Sequence, residues 1–205
     1  MEISKKQLTV LDQISASDKV RKKIVDTASL LYAKKGFAAT SIEEISEMAG
    51  VSLPVTHHYV KKKSEIMGMI MEEVLNLFQQ SLTKEIEGIH DPEERLAIAA
   101  VLYFRVVEKQ SDKALLIYRN SDALEKASKA KIMQLEVEVS DIFKQIIDEG
   151  IKQGVFDAVD SDLMAYNTMM MAHAWILKKW HFKRRLTLDQ YIDLQLRIIL
   201  NALRK

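Results

Sequence analysis

Apolar residues recur at intervals of three and four positions along most of the chain, which is the spacing that places them on one face of an α-helix. The first such helix is predicted to begin after Ser17 and Asp18 and to end at Gly36. Its apolar face consists of Val20, Ile24, Ala28 and Leu31. The period of two that a half-buried strand requires is convincing nowhere, so every predicted element is a helix.

Start signals divide the rest of the chain into further helices. Capping boxes are predicted at Ser41–Glu44 and Thr187–Gln190, and an N-cap followed by proline at Asp91–Pro92. A third short helix follows Ser52 as its N-cap. The pattern predicts other helices over about residues 64–89, 112–120, 123–150 and 161–180. The sequence therefore predicts about nine helices and no internal repeat.

The composition agrees with an all-α fold. Only 6 Gly and 2 Pro occur in 205 residues, too few for the many turns of a β-rich protein, and 48% of the residues are hydrophobic. The absence of Cys excludes a disulfide scaffold, thiol catalysis and a thiolate metal site. Neither a signal peptide nor an apolar run of membrane-spanning length is found, so we expect a soluble cytoplasmic protein that does not act at a membrane.

Charge is distributed unevenly around a net value of +1. Residues 1–63 carry 11 Lys and Arg against 7 Asp and Glu, whereas residues 64–205 carry 19 against 22. A basic front on a mildly acidic body suits a protein whose N-terminal part contacts nucleic acid. A solvated charged face gives similar counts, so charge alone does not distinguish a nucleic-acid-binding surface from an ordinary exposed one.

Residues 41–59 predict a helix-turn-helix. The first helix is capped at Ser41, and Gly50 supplies the tight turn, where positive φ costs glycine little. The N-terminal residues of the second helix, capped at Ser52, would lie against base edges in a major groove. The run Lys61-Lys62-Lys63 follows at once, and its ammonium groups suit phosphate contact. The alternative is two core helices joined by a glycine turn.

The stretch from Ile24 to Ile66 resembles the DNA-binding domain of TetR-family repressors. The matching residues are Ala33, Gly36, Phe37, Thr40, Ser41, Ile42, Ile45, Ala49, Gly50, Val51, Ser52, Tyr59 and Lys63. The resemblance implies phosphate contacts for Thr40, Ser41, Ser52, His57, Tyr59 and Lys63, and base-side positions for Leu53, Pro54, Val55 and His58. The sequence departs from the family pattern at Pro54, Thr56, His57 and Val60. The operator sequence should therefore not be taken from relatives.

The resemblance also implies a C-terminal body that binds a small effector and pairs with a second subunit. The corresponding division is an N-terminal arm (residues 1–16), a helix-turn-helix domain (17–63) and an effector-binding and dimerisation domain (64–205). The last helix carries two apolar stripes, one more than packing on its own body requires. The predicted dimer interface consists of Leu163, Tyr166, Met170, Ala174, Tyr191, Leu194 and Ile198. A homodimer suits a palindromic operator, and a monomer core is the alternative.

Methionine and aromatic residues of the C-terminal part are the candidates for an effector pocket, because such side chains adapt to bulky apolar ligands. The predicted lining is Tyr103, Phe104, Tyr118, Phe143, Met170, Met171, His173 and Trp175. The layout of the last two helices, with the basic run from Lys178 to Arg185 between them, is similar to family members that sense acyl-CoA thioesters. Its cations could hold CoA phosphates. Ordinary core packing and a solvated loop are the alternatives.

Other classes of function find little support. His57 and His58 point about 100° apart on a helix, and no two histidines have HxxxH spacing, so we expect no metal site. No G-x-S-x-G, P-loop or GxGxxG motif occurs, and we expect neither an enzyme nor a cofactor. The expected function is that of a homodimeric repressor, released from operator DNA by a small apolar effector for which an acyl-CoA is the candidate. The alternative, which Pro54, His57 and Val60 keep open, is a helical ligand-binding or interaction protein that no longer binds DNA.

Overall fold

The computed structural model describes the backbone of residues 5–204 and the side chains of residues 17–122 and 124–204. Within these residues the chain forms ten α-helices, one short 3₁₀ turn at Ser121–Ala123 and no strand. The helices are α1 (Lys5–Lys35), α2 (Ile42–Ala49), α3 (Leu53–Tyr59), α4 (Lys63–Glu85), α5 (Pro92–Lys109), α6 (Ser111–Asn120), α7 (Lys126–Lys152), α8 (Ser161–Leu177), α9 (Lys179–Phe182) and α10 (Leu188–Leu203). The predicted all-α fold is confirmed.

The first helix starts earlier than the pattern predicts, at Lys5 and not after Ser17. Residues 5–17 contain neither Gly nor Pro, and Ser or Asp inside a helix costs only ~0.5 kcal/mol relative to better helix formers. Because each residue added to an existing helix also adds a hydrogen bond, the polar residues do not end it. Residues 5–16 of the predicted arm are therefore part of α1, and residues 1–4 lie outside the described residues.

The segment predicted as one helix over about 161–180 is divided at Lys178. This residue has a φ of −118° and a ψ of 27°, which ends α8 at Leu177, and the short α9 follows. The break places the ring of Phe182 on that of Trp175, with centroids 6.2 Å apart and an interplanar angle of 14°. This short helix is the difference between the predicted nine and the observed ten in the described part of the chain.

Two of the predicted start signals form the hydrogen bonds expected of them. The Thr187 hydroxyl accepts from the Gln190 N–H at 3.2 Å, and the Gln190 side chain accepts from the Thr187 N–H at 2.9 Å, so this capping box is complete. Asp91 caps α5, whose first residue is Pro92. These contacts satisfy N–H groups that have no partner inside their helix.

The first of two compact units contains the chain up to Ile70 together with residues 116–128. In it α1 packs on α2, and α2 packs on α3. The buried core includes Ile24, Val25, Ala28, Tyr32, Phe37, Ile45, Ile66 and Met67. This unit extends past the predicted boundary at residue 63, because the first residues of α4 are buried in the same core.

The second unit contains residues 71–115 and the chain from residue 129 onward. Here α5 packs against α8 and α10. Small side chains are buried on both α5 (Ala99 and Ala100) and α8 (Ala165 and Ala172), and small contact residues allow helix axes to lie close together. No helix in the described part of the chain combines the length and apolarity that crossing a membrane would require.

Candidate DNA-binding, effector and dimer sites

The turn between α2 and α3 has the predicted left-handed glycine. Gly50 has a φ of 63° and a ψ of 35°, and its N–H donates to the Glu47 carbonyl at 3.1 Å. At the start of α2 the Ser41 hydroxyl accepts from the Glu44 N–H at 3.2 Å. The Glu44 carboxylate, however, pairs with Lys35 and not with the backbone of Ser41 as the predicted box requires. The helix-turn-helix geometry thus depends on one side-chain cap and one left-handed residue.

The helix after this turn, α3, has one accessible face. Pro54, Val55 and His58 are exposed, and their positions fall within an arc of about 100° on the helix. Leu53 is half-buried. Thr56 is fully buried, and its hydroxyl donates to the carbonyl one turn earlier at 3.3 Å. Three of the four residues predicted to lie toward bases therefore share the accessible face.

The small hydroxyl residues predicted to contact phosphate differ in accessibility. Ser41 and Ser52 are exposed, although the Ser52 side chain does not cap α3 as predicted. Thr40 is buried, and its hydroxyl donates to the Gly36 carbonyl at 2.9 Å. This corrects the predicted phosphate contact of the Thr40 side chain, because its hydroxyl stabilises the turn after α1 and does not face outward.

The two ring residues predicted to contact phosphate are half-exposed. His57 Nδ1 lies 3.3 Å from the Val60 carbonyl, just past the end of α3. The Tyr59 hydroxyl donates to Ser17 Oγ at 3.1 Å, which connects α3 to α1. Both rings therefore also have a structural role at the end of α3.

The three lysines after α3 have different partners. Lys61 is exposed, and its ammonium donates to the His57 carbonyl at 2.5 Å. Lys62 pairs with Glu125 at 2.7 Å, which raises the pKa of Lys62, and both side chains remain more than half exposed. The Lys63 ammonium lies among three backbone carbonyls at 2.8–3.0 Å. The three lysines, which are identical in sequence, therefore differ in exposure and in hydrogen-bond partners.

Three of the predicted effector residues meet in the core of the second unit. Tyr103 Oη and His173 Nε2 are 2.7 Å apart, and both residues are buried. The Tyr103 ring centroid lies 5.0 Å from that of Phe78 and 5.6 Å from that of Phe143. Burial lowers the pKa of His173 to about 4, so the imidazole is neutral near pH 7. A neutral hydrogen-bonded pair thus lies inside an aromatic cluster.

Two more of the predicted effector residues, Phe104 and Trp175, belong to a neighbouring ring cluster around Tyr191. The ring centroid of Tyr191 lies 6.0 Å from that of Phe104 and 5.0 Å from that of Trp175. Trp175 is buried, and its indole N–H donates to a Glu108 carboxylate oxygen at 2.9 Å. The other Glu108 oxygen pairs with Lys179 at 2.7 Å. A buried indole is thereby joined to a charged pair at the surface.

The remaining effector candidates lie in less enclosed places. Met170 and Met171 of α8 are half-buried. Tyr118 is 36% exposed and belongs to the first unit, whereas all the other candidates belong to the second. The boundary between the two units falls within α6, between Leu115 and Leu116, and the place of Tyr118 in the lining stays a prediction.

A cleft of about 450 Å³ in the second unit is formed by residues of α4, α5 and α7 and by Ile86, which follows α4. It is lined by Gln79, Leu82, Thr83, Ile86, Arg95, Ile142, Gln145, Ile146 and Glu149. Arg95 and Glu149 form an ion pair in its wall. No predicted effector residue contributes to this cleft, so the cleft and the aromatic cluster are distinct features of the same unit.

Four of the predicted interface residues are 41–57% exposed in the single chain, namely Leu163 and Tyr166 of α8 and Leu194 and Ile198 of α10. Met170 and Ala174 are half-buried. Tyr191 is only 2% exposed, and its hydroxyl donates to the Met171 carbonyl at 2.9 Å. The prediction for Tyr191 is therefore corrected, because its ring packs inside its own subunit.

The basic run between α8 and α10 is exposed at most of its positions. Lys178, Lys183, Arg184 and Arg185 are exposed, and Trp180 among them is exposed to 69%. Such a surface combines cations with an aromatic face, which are the two groups that bind phosphates and stack on bases.

Three residues around these clusters are absent from the predicted sites: Phe78 and Phe182, whose rings belong to the clusters, and Glu108, which accepts the hydrogen bond of Trp175. Phe78 has a sequence signal, because it follows Val74 by four positions and Leu75 by three on one helical face. Glu108 has none, since its contact with Trp175 joins positions 67 residues apart.

Comparison with known proteins agrees with this geometry. Residues 24–68 match the family described as bacterial regulatory proteins, tetR family, and residues 90–203 match the tetracyclin repressor-like C-terminal domain. The chain is 30% identical over 173 residues to the HTH-type transcriptional regulator HbdR of Aromatoleum sp. (strain CIB), covering 84% of this chain and 76% of that protein. It is 23% identical to the HTH-type transcriptional repressor KstR2 of Rhodococcus jostii (strain RHA1), covering 94% and 95%.

A solved structure shares the fold. The crystal structure of AibR in complex with isovaleryl coenzyme A and operator DNA matches with a TM-score of 0.68 and 22% identity, covering 87% of this chain and 97% of AibR. The C-terminal match alone, residues 90–203, exceeds half of this chain. The family that the sequence resembles is therefore confirmed, and the chain belongs to the TetR family of bacterial regulatory proteins.

Proposed function

We propose that this chain is a homodimeric transcriptional repressor that binds operator DNA through α3 and is released by an acyl-CoA thioester. The observation that carries the DNA-binding part is the accessible face of α3 directly after the left-handed turn at Gly50. A helix in this position enters the major groove in helix-turn-helix proteins. In the proposed complex the residues toward bases are Leu53, Pro54, Val55 and His58, and those toward phosphate are Ser41, Ser52, His57, Tyr59, Lys61 and Lys62.

Operator binding is tested by gel shift and fluorescence anisotropy on DNA from upstream of the chain's own gene, with unrelated DNA of equal length as competitor. His58→Ala is expected to weaken specific binding roughly tenfold and to relax the preference at the base pairs that His58 faces, since a base contact contributes about 1–3 kcal/mol. His90→Ala, an exposed histidine outside the first unit, is the matched control and should bind like the wild type. Equal affinity of the wild type for both DNAs would exclude a specific operator there.

The effector part of the proposal is supported by two features of the second unit. The aromatic cluster around Tyr103 and His173 is apolar except for its neutral hydrogen-bonded pair, which suits an acyl chain with a carbonyl group. The exposed run from Lys178 to Arg185, with Trp180, offers cations and an aromatic face to the phosphates and adenine of coenzyme A. AibR, whose fold this chain shares, has been crystallised with isovaleryl coenzyme A.

Thermal shift and release of bound DNA are the measurements that test the effector. Isovaleryl-CoA, a long-chain acyl-CoA and an aromatic acyl-CoA are compared with free coenzyme A and with the corresponding free acids. We expect stabilisation by at least one thioester and none by the matching acid, because the acid lacks the phosphates and the adenine. Equal stabilisation by the acid and the thioester would contradict an acyl-CoA effector and would indicate a carboxylic acid instead.

The basic run is tested by Lys183→Gln, Arg184→Gln and Arg185→Gln combined. Binding of the active thioester should weaken tenfold or more. The matched control replaces two other exposed cations of the second unit, Lys84→Gln and Lys152→Gln, and should change binding less than twofold. Equal effects of the two sets would remove the basic run from the coenzyme A site.

Release from DNA requires more than binding of the effector. The thioester must bind more tightly to a conformer that does not fit the operator than to the conformer that does. By the same linkage, operator DNA must weaken thioester binding by the same factor, which titration of the thioester with and without DNA measures directly.

A further inference from the structure

The ammonium group of Lys63, the first residue of α4, is enclosed by backbone oxygens. Its Nζ lies 2.8 Å from the carbonyl oxygen of Phe37, 3.0 Å from that of Ala38 and 3.0 Å from that of Thr40. It also lies 4.7 Å from the centroid of the Phe37 ring. A lysine ammonium has three N–H donors, so these three carbonyls use all of them.

The backbone of Lys63 is held by the same region. The hydroxyl of Tyr32, near the end of α1, donates to the Lys63 carbonyl at 3.2 Å. Tyr32 is 2% exposed, and its ring meets that of Phe37 edge-on at 5.1 Å. Both the side chain and the main chain of Lys63 are therefore bound to the end of α1 and the connection to α2.

The carbonyls at this place need a donor. They belong to the turn between the last residue of α1 and the first of α2, where carbonyl groups have no partner within a helix and where a cation is favoured by the helix dipole. A phosphate contact by Lys63 would have to replace at least one of these bonds. Lys61 and Lys62, in contrast, are exposed, and their ammonium groups donate to one oxygen each, the His57 carbonyl and a Glu125 carboxylate oxygen. A phosphate contact by either would therefore replace a single exposed bond.

We propose that Lys63 is a positioning residue that holds the helix-turn-helix on the first turn of α4, and that it does not contact phosphate. Because α4 is unbroken from Lys63 to Glu85, a change in the direction of its first turn is then passed to the end of α1 and to α2. Lys63 would thereby set the orientation of α3, which decides whether the two recognition helices of a dimer fit successive major grooves. This inference rests on the operator binding proposed above.

Lys63→Arg and Lys63→Met separate the two roles. Arginine keeps the charge, but its planar fork cannot direct three N–H groups from one nitrogen toward three carbonyls, whereas it serves at least as well as lysine at a phosphate. Lys61→Met is the matched control, because it removes an exposed cation two positions away. The three variants and the wild type are compared on the operator as a function of salt, and on an operator with its half-sites moved apart by one base pair.

If Lys63 is a positioning residue, both of its variants should bind the operator at least tenfold more weakly than the wild type. The salt slope of Lys63→Arg should be unchanged. Both variants should also discriminate less between the two half-site spacings. Lys61→Met should lower the salt slope by about one unit and keep the spacing preference. Wild-type affinity of Lys63→Arg, with a slope lowered by about one unit in Lys63→Met, would overturn the proposal.

Two measurements without DNA keep this test independent of operator binding. Amide hydrogen exchange at residues 37–41 should be at least tenfold faster in both Lys63 variants than in the wild type or Lys61→Met, and unchanged exchange would refute the contact. In the wild-type protein the Lys63 ammonium protons should be protected from exchange with water, as seen by ¹⁵N NMR of lysine side chains. A rapidly exchanging ammonium would refute the contact even if the variants do not fold.

Discussion

Lowering the pH is expected to destabilise the protein through His173. The imidazole is 5% exposed, and burial lowers its pKa from 6.5 to about 4. In the unfolded chain the same group takes up a proton near pH 6.5, so below this pH the unfolded state binds more protons than the folded state. The free energy of unfolding therefore falls as the pH is lowered from 6.5 to about 4. At about 1.36 kcal/mol per pKa unit the whole loss is about 3 kcal/mol, of which about 2 kcal/mol occurs between pH 7.5 and pH 5.

The assay is urea unfolding at pH 7.5 and pH 5, followed by tryptophan fluorescence, because both Trp175 and Trp180 belong to the second unit. His173→Gln keeps a polar side chain but does not titrate. Carboxyl groups such as Glu93, whose pKa is lowered by a hydrogen bond from Arg204, titrate in both proteins and cancel in the difference.

The wild type should lose about 2 kcal/mol more than His173→Gln on going to pH 5. His90→Gln, which removes an exposed imidazole, should behave like the wild type. If the wild type and His173→Gln lose the same free energy, the imidazole is not held neutral by burial and the reasoning fails.

Three further predictions concern backbone, packing and assembly. Gly50→Ala is expected to lower stability by about 1–2 kcal/mol in thermal unfolding, because φ is 63° while nothing lies within 4 Å of the added methyl group; an unchanged melting temperature would contradict this. Gly150→Ala would place its Cβ 2.2 Å from Cδ2 of the buried Phe156, so we expect the free energy of unfolding to fall by about 1–3 kcal/mol and Phe156→Leu to restore part of it. An unchanged free energy of unfolding would show that the ring moves freely. Ile198→Glu should convert the proposed dimer into monomers in sedimentation velocity, whereas Val155→Glu, at another exposed apolar residue, should not. A dimer that survives Ile198→Glu would place the interface elsewhere.

Several features of the DNA-binding part follow from residues close together in the chain. The cap at Ser41, the left-handed turn at Gly50 and the proline in the first turn of α3 are each formed within about four residues, and each is present in the structure. The accessible face formed by Pro54, Val55 and His58 also follows from helical periodicity. The start of α1 is different, because Ser and Asp are compatible with a cap or with a helix interior, and the surrounding residues decide between the two.

Whether a predicted effector or dimer residue is buried or exposed depends on which helices pack against each other. Tyr191 and Ile198 lie on one stripe of α10, yet the first packs against Trp175 and Phe104 while the second stays exposed. Periodicity identifies an apolar stripe but does not specify which of its members its own subunit covers.

By itself, therefore, the sequence determined the helical class, the positions of the caps and turn, and membership of the family, since these depend on local spacing and on residue types along short segments. The tertiary structure alone decided the partners of Lys63, the burial of Thr40 and the neutral state of His173. Each of these depends on atoms that lie far apart in the chain or on exclusion of water by the folded core, and neither is specified by spacing along the sequence.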